Sequence, residues 1–290
     1  MTNRACIAAG VVVAGMILLA LAHDSTPITG QWIIDGVEVA EQVQLTLHRG
    51  VGKPGSSTNS SSYPVKGFLG LSRVQMDAPG GVMVRFQMVR DAGTLACEGY
   101  FKRGNGAGTF TFSQDPGFVS EMQKLGYTGL HPEMLFSMAA HNVSLDYVRR
   151  LRSLKAAPSS ADGLISVRIH GVSIEFIQDL QSLGYRDLNA DELVTMRIHG
   201  VTTDFIRELN QLGYGSVPAN ELVTMRIHGA STDFIKELKS LGYAHPTIDQ
   251  LVTMRIHGVN PDFIHRLQSR GMKNLSIDQM VNLRIHGIVD

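Results

Sequence analysis

The apolar positions of this chain follow two different periods, one after the other. From about Ile28 to Ser113 they alternate. Val43, Leu45 and Leu47 are separated by Gln44 and Thr46, and Val82, Val84, Phe86 and Met88 interleave with Met83, Arg85, Gln87 and Val89. A period of two places every second side chain on one face and predicts half-buried strands. Asp91-Ala92-Gly93 and Gly104-Asn105-Gly106 read as turns, so Thr94 to Phe101 and Thr109 to Phe112 return as the next strands of an antiparallel meander. Trp32, the sole tryptophan, is expected to plug this core. The segment from Gly52 to Ser62 (GKPGSSTNSSS) has no apolar residue and predicts a flexible loop. Residues 23–114 are thus expected to form an antiparallel β domain, a sandwich or partly open barrel, and a barrel would leave room for a ligand cavity.

From Asp115 the period changes. His141, His170, His199, His228, His257 and His286 lie 29 residues apart, and so do Phe118, Tyr147, Phe176, Phe205, Phe234 and Phe263. An unbroken spacing of that size marks a repeat architecture, with six copies filling 115–290. Each copy carries two sets of helix punctuation. Asp115, Ser144, Ser173, Thr202, Ser231 and Asn260 stand where a side chain can accept from the free N–H groups of a first turn. Pro116 and Pro261 follow at the first helical position, and acids (Asp146, Glu175, Asp204, Asp233, Asp262) at the second, facing the positive helix end. The stop is a glycine, such as Gly213, followed by an apolar residue, Tyr214, placed to meet Leu209. The second helix opens with capping-box pairs, Asn189/Glu192, Thr247/Gln250 and Ser276/Gln279, and stops at Gly171, Gly200, Gly229, Gly258 or Gly287. The first copy has Asn142 there, the next-best residue for a left-handed conformation. Lys155 replaces the first-helix stop in the second copy, and an irregular ending is expected there. Helices of this length are unstable alone, which makes stacking into an α-solenoid obligatory. The fold class expected is α+β: a β domain followed by a solenoid of helix-turn-helix repeats.

The run Leu222-Val-Thr-Met-Arg-Ile-His-Gly229, followed by Thr232-Asp-Phe-Ile-Lys-Glu-Leu238 and Leu241-Gly-Tyr243, resembles a bacterial helical repeat. That repeat occurs in tails of membrane-bound sensor metallopeptidases of the β-lactam-sensor type and in related exported proteins of unknown function. The resemblance covers roughly 115–290. It implies a role in envelope sensing or regulation at most. The peptidase part has no counterpart here, because the chain contains no H-E-x-x-H and His131-Pro-Glu-Met does not make one.

Composition narrows the function. Twenty-six basic and 26 acidic side chains cancel, so nothing recruits nucleic acid or an anionic membrane. Arg4, the uncharged stretch from Ala5 to Ala22 and the small residues of Ala20-Leu21-Ala22 read as an export signal over 1–22, with an uncleaved membrane anchor as the alternative. Either places the remainder outside the cytoplasm, periplasmic or secreted. With Cys6 inside that segment, Cys97 stands alone and no internal disulfide is expected.

The candidate chemistry is periodic. His170, His199, His228, His257 and His286 invite a metal reading. Equivalent positions in stacked copies stand roughly 10 Å apart, however, whereas zinc ligands must converge within ~2 Å of one ion. A ladder meeting the negative helix ends is expected instead. Arg168, Arg197, Arg226, Arg255 and Arg284 form a second ladder. Exposed on one face it would dock an acidic peptide or phosphate. The alternative is compensation of helix dipoles and pairing with the second-position acids. Gly104 to Gly108 is a hairpin, not a phosphate loop, since no helix follows. No nucleophile–base pair, metal-ligand spacing or cofactor motif is present. The expectation is a non-enzymatic, exported interaction protein that holds a protein or peptide partner on its repeats. The alternatives are an envelope sensory module anchored by its N-terminus and a small-ligand carrier using the β domain. The final repeat lacks a polar capping copy, leaving its face to the β domain, a partner or a second copy.

Overall fold

The computed structural model describes residues 27–36, 41–50 and 57–288. The signal or anchor segment, and residues 52–56 of the expected loop, lie outside them. Six strands form one antiparallel sheet: β1 (Ile28–Asp35), β2 (Gln42–Arg49), β3 (Ser57–Pro64), β4 (Val82–Arg90), β5 (Gly93–Lys102) and β6 (Asn105–Gln114), in the order β3-β2-β1-β6-β5-β4. The meander β4-β5-β6 has the expected turns, and β1 pairs with both β2 and β6.

Two features depart from the sequence expectations. Residues 57–62, expected as loop, belong to edge strand β3, paired along its length with β2. Its hydroxyls find cross-strand partners: Ser60 Oγ meets Gln44 Nε2 at 2.8 Å and Thr46 Oγ1 at 2.9 Å, and Thr58 Oγ1 meets His48 Nδ1 at 3.0 Å. An edge strand can be held by its ladder and such pairs without apolar content. The second departure is from the sandwich alternative: among the described residues all six strands belong to one sheet, with no second sheet packed on it. Strands β3 and β4 are opposite edges, and the second layer is helical. Alternation reports one buried face; it does not report what covers it.

Trp32 lies fully buried on that face, between Phe86 (5.1 Å, edge-on) and Phe101 (5.5 Å, stacked), and its indole N–H donates to the Glu98 carbonyl at 3.1 Å. Beneath it Gly99 pairs with Gly108, and a Cβ on Gly99 would stand 2.5 Å from the indole. Glycine is what lets the ring lie on the sheet. The cover consists of the connection through α1 (Arg73–Met76), which brings Phe68, Leu71 and Met76, and of α3 (Pro132–Ala140), which packs on β1, β5 and β6. Phe136 of α3 stacks on Phe110 at 5.5 Å and meets Phe112 edge-on at 5.6 Å.

Helix α3 is also the second helix of the first repeat, so the array starts as part of the sheet's own core. Each copy contributes two helices: α2 (Pro116–Lys124) with α3, α4 (Leu145–Ser153) with α5 (Ala161–Ile169), α6 (Ile174–Ser182) with α7 (Ala190–Ile198), α8 (Thr203–Gln211) with α9 (Ala219–His228), α10 (Thr232–Ser240) with α11 (Ile248–Ile256), and α12 (Pro261–Ser269) with α13 (Ile277–Ile285). First helices pack on first helices and second on second, giving two rows. The sheet covers the first copy, not the last, whose Ile288 remains 60% exposed.

The helix ends follow the local rules. Asp115, Ser144, Ser173, Thr202, Ser231 and Asn260 each accept from the third residue on, at 2.9–3.2 Å. The three capping boxes are formed. Stops are left-handed residues followed by a bond back to the last turn, as in Tyr214 N–H to Leu209 (3.0 Å) and Ala230 N–H to Met225 (2.8 Å). The expected irregularity at Lys155 is absent: Lys155 takes φ +57° and Ala156 N–H reaches Leu151 at 2.9 Å, the same ending as elsewhere. A lysine in that conformation is strained by roughly 1 kcal/mol. Lys155→Gly is therefore expected to raise stability by about 1 kcal/mol in urea unfolding; an unchanged or lower midpoint would contradict this assignment.

Candidate functional site

The conspicuous residues of each repeat divide into those that hold the stack together and those that remain outside it. The ladder arginines hold it. Arg168, Arg197, Arg226, Arg255 and Arg284 lie over Tyr147, Phe176, Phe205, Phe234 and Phe263 of their own copies, 4.7–5.3 Å from the ring centres. The same guanidinium groups reach the stop of the preceding copy: a Cβ on Gly200 would stand 3.2 Å from Arg226 Nη2, and one on Gly229 as close to Arg255. In the first rung Arg168 Nε donates to the His141 carbonyl at 3.1 Å. Each arginine thus binds a ring of its own copy and abuts the C-terminal helix end of the one before, where positive charge is favoured. The expected pairing with second-position acids is made by other residues. Asp204 and Asp233 bind Arg207 (2.7 Å) and Lys236 (3.2 Å) within their own helices.

A second set of staples uses the tyrosine after the first-helix stop. Tyr127, Tyr185, Tyr214 and Tyr243 donate to the carbonyls of Pro158, Val217, Pro246 and Leu275, each in the linker of the following copy. The second copy has Ala156 at this position and the last has Met272. Tyr147 donates to Val172 at 2.6 Å. Burial pushes all these phenols above their usual range, Tyr147 to about 12.

What remains outside is a stripe along the ends of the second helices. Ile169, Ile198, Ile227, Ile256 and Ile285 are 53–56% exposed, one per copy, each beside an exposed histidine: His170, His199, His228, His257 and His286. Sequence reasoning assigned the Arg-Ile-His-Gly signature to helix termination and passed over the isoleucine. The signal was present in the spacing. Leu222 and Met225 are buried, and a residue two beyond Met225 falls on the far side of the helix. Five large apolar side chains repeated off the buried stripe are not needed for the core.

The first rung of the stripe is different. Its isoleucine position is Ala140, buried under β3, where Tyr63 donates its hydroxyl hydrogen to the Ala140 carbonyl. Asn59 of the same strand meets His141 Nε2 at 2.6 Å. Burial, and the charge of Arg168, hold the His141 imidazole below its usual pKa. Asp91, in the β4–β5 turn, completes the junction by accepting from Leu145 N–H at 2.8 Å. An extended segment of this chain already sits on rung one.

Among the described residues no three His, Cys, Asp or Glu side chains are grouped so as to hold a metal ion. Cys97 is buried, and its thiol is pushed up to about 12 by desolvation. No helix among the described residues is long and apolar enough to cross a membrane. Comparison with protein-family models and with curated proteins finds no match to the chain.

The tyrosine staples make alkaline stability a test of the stack. A phenol whose folded pKa is raised stabilises the fold fully below its unfolded value, near 10, and that contribution is lost as pH climbs towards about 12. The urea midpoint is expected to fall between pH ~10 and ~12, and Tyr214→Phe to cost about 1 kcal/mol at pH 7 through the unpaired Pro246 carbonyl. A midpoint that does not fall as pH rises above the usual phenol range would contradict the staples.

Proposed function

We propose that this protein is a non-enzymatic, exported interaction protein whose helix stack holds an extended polypeptide segment of a partner along the Ile169–Ile285 stripe. The observation that carries the reading is the stripe itself: five isoleucines, each more than half exposed, in register on one row of helices. Exposed apolar side chains mark interaction sites where they form a patch, and their recurrence on one row of helices supports that reading. The choice of occupant rests on continuity with rung one, where the edge strand β3 covers Ala140 and His141 with an aromatic hydroxyl and an amide. The further rungs offer the same chemistry uncovered, namely an apolar side chain, an imidazole and the carbonyls of a helix end. Export is supported by Arg4 and the apolar run from Ala5 to Ala22. Among the described residues no group of three His, Cys, Asp or Glu side chains is placed to hold a metal ion.

Selection of a random displayed-peptide library on the full chain tests this reading. The wild type is expected to enrich peptides rich in apolar residues. A variant with all five isoleucines changed to serine, its fold checked by circular dichroism, is expected to lose at least about tenfold in affinity for them, in line with ~1.5 kcal/mol or more for each fully covered side chain. Equal binding by the variant would overturn the reading. So would wild-type protein that sediments as a dimer through the stripe, because a second copy would then be the occupant.

A further inference from the structure

Where the stripe meets the sheet there is a crevice of about 550 Å³, the size of a small-molecule site. Tyr63 and Arg90 line it from the sheet, and His141, Asn142, Arg168 and Ile169 from the first two repeats. Two arginines, Arg90 and Arg168, are among its lining residues, and no carboxylate is. The nearest acids lie outside the lining: Asp91 accepts the Leu145 N–H and lends charge to Arg90, and Glu175, exposed, lies 3.9 Å from Arg150 and feels the charge of Arg168.

Arg90 is the informative residue. Its guanidinium lies 5.8 Å from the centre of the Tyr63 ring and donates from Nη1 to its neighbour's carbonyl on Val89 at 3.1 Å. Its Nε has no exposed surface and no hydrogen-bond partner, as is also true of Arg197 outside the crevice, so only the rest of the guanidinium bears on a ligand. Arg168, on the opposite wall, is held rigidly by the Tyr147 ring and the His141 carbonyl, which fixes its position towards the crevice. Planar, pre-positioned guanidinium groups recognise the oxygens of carboxylates and phosphates. Ile169 and the Tyr63 ring supply apolar wall beside them.

We propose that this crevice is an anion-binding site, in which Arg90 and Arg168 share the oxygens of a carboxylate or phosphate group. It is a site distinct from the isoleucine stripe, although Ile169 borders both. Ligand binding here would tie the edge of the sheet to the first two repeats.

Titration of the full chain, labelled with ¹⁵N, tests the site through the arginine Nε–H resonances. Inorganic phosphate and acetate are added in separate arms against chloride at matched ionic strength. In at least one arm the Arg90 and Arg168 signals are expected to move on one common saturating curve while Arg197, Arg226 and Arg255 stay in place. Response to phosphate alone identifies a phosphate site, and response to acetate alone a carboxylate site. Arg90→Gln is expected to weaken the affinity at least about tenfold. If that variant unfolds, the wild-type resonance map still decides. Absence of saturation in both arms, equal movement of all ladder arginines, or undiminished affinity of a folded Arg90→Gln protein would each overturn the proposal.

Discussion

Everything C-terminal to Asp115 depends on one constraint: each helix is stopped after nine or ten residues by a residue in the left-handed conformation. Helices of that length do not persist alone in water. They exist here because the copies bury Phe205, Ile206, Leu209, Leu222 and Met225, or their equivalents, against one another, with only Val119 of the first copy and Leu283 of the last half-buried. The stop also creates what the neighbour binds. Closing the helix at Gly200 leaves space against the backbone that Arg226 of the next copy enters, and Gly213 places Tyr214 to reach the Pro246 carbonyl. Termination and stacking are therefore one device. The first copy uses the same device differently, since its second helix is the lid of the sheet and Phe136 completes the core begun by Trp32 and Phe110.

The residues of the Arg-Ile-His-Gly signature differ in what they contact. The glycine ends the helix, and the arginine joins two copies across a ring and a helix end. The isoleucine does neither. It is buried at no rung where the position is isoleucine, and at the one rung where a segment of the chain lies over it the residue is alanine. The histidines beside it form a row, not a chelate.

Much of the repeat fold was legible in the sequence because its determinants are local. Capping by Ser173 or Asn260, the boxes at Asn189 and Thr247, and the glycine stops each depend on a few consecutive residues, so composition and spacing specify them. Lys155 is a stop that residue type does not announce, because it takes the left-handed conformation that a side chain disfavours. The sheet was only half legible. Alternation located β2, β4, β5 and β6, but the serine-rich β3 has no apolar face to announce it, and a helix in place of a second sheet over Trp32 is a long-range choice. The arginine ladder needed the third dimension: its partners lie on another helix and in the preceding copy. The isoleucine stripe was available from the helical period but was hidden by a signature that already had an explanation.

The docking reading is tested most directly by observing the isoleucines themselves. With Ile δ1 methyl groups labelled in the full chain, addition of a peptide enriched on the wild type is predicted to shift Ile169, Ile198, Ile227, Ile256 and Ile285 together along one saturating curve. The core methyls of Ile177, Ile206, Ile235 and Ile264, all buried, are predicted to stay in place. Saturable binding that leaves the five exposed methyls unmoved, or that moves the core set instead, would contradict the account.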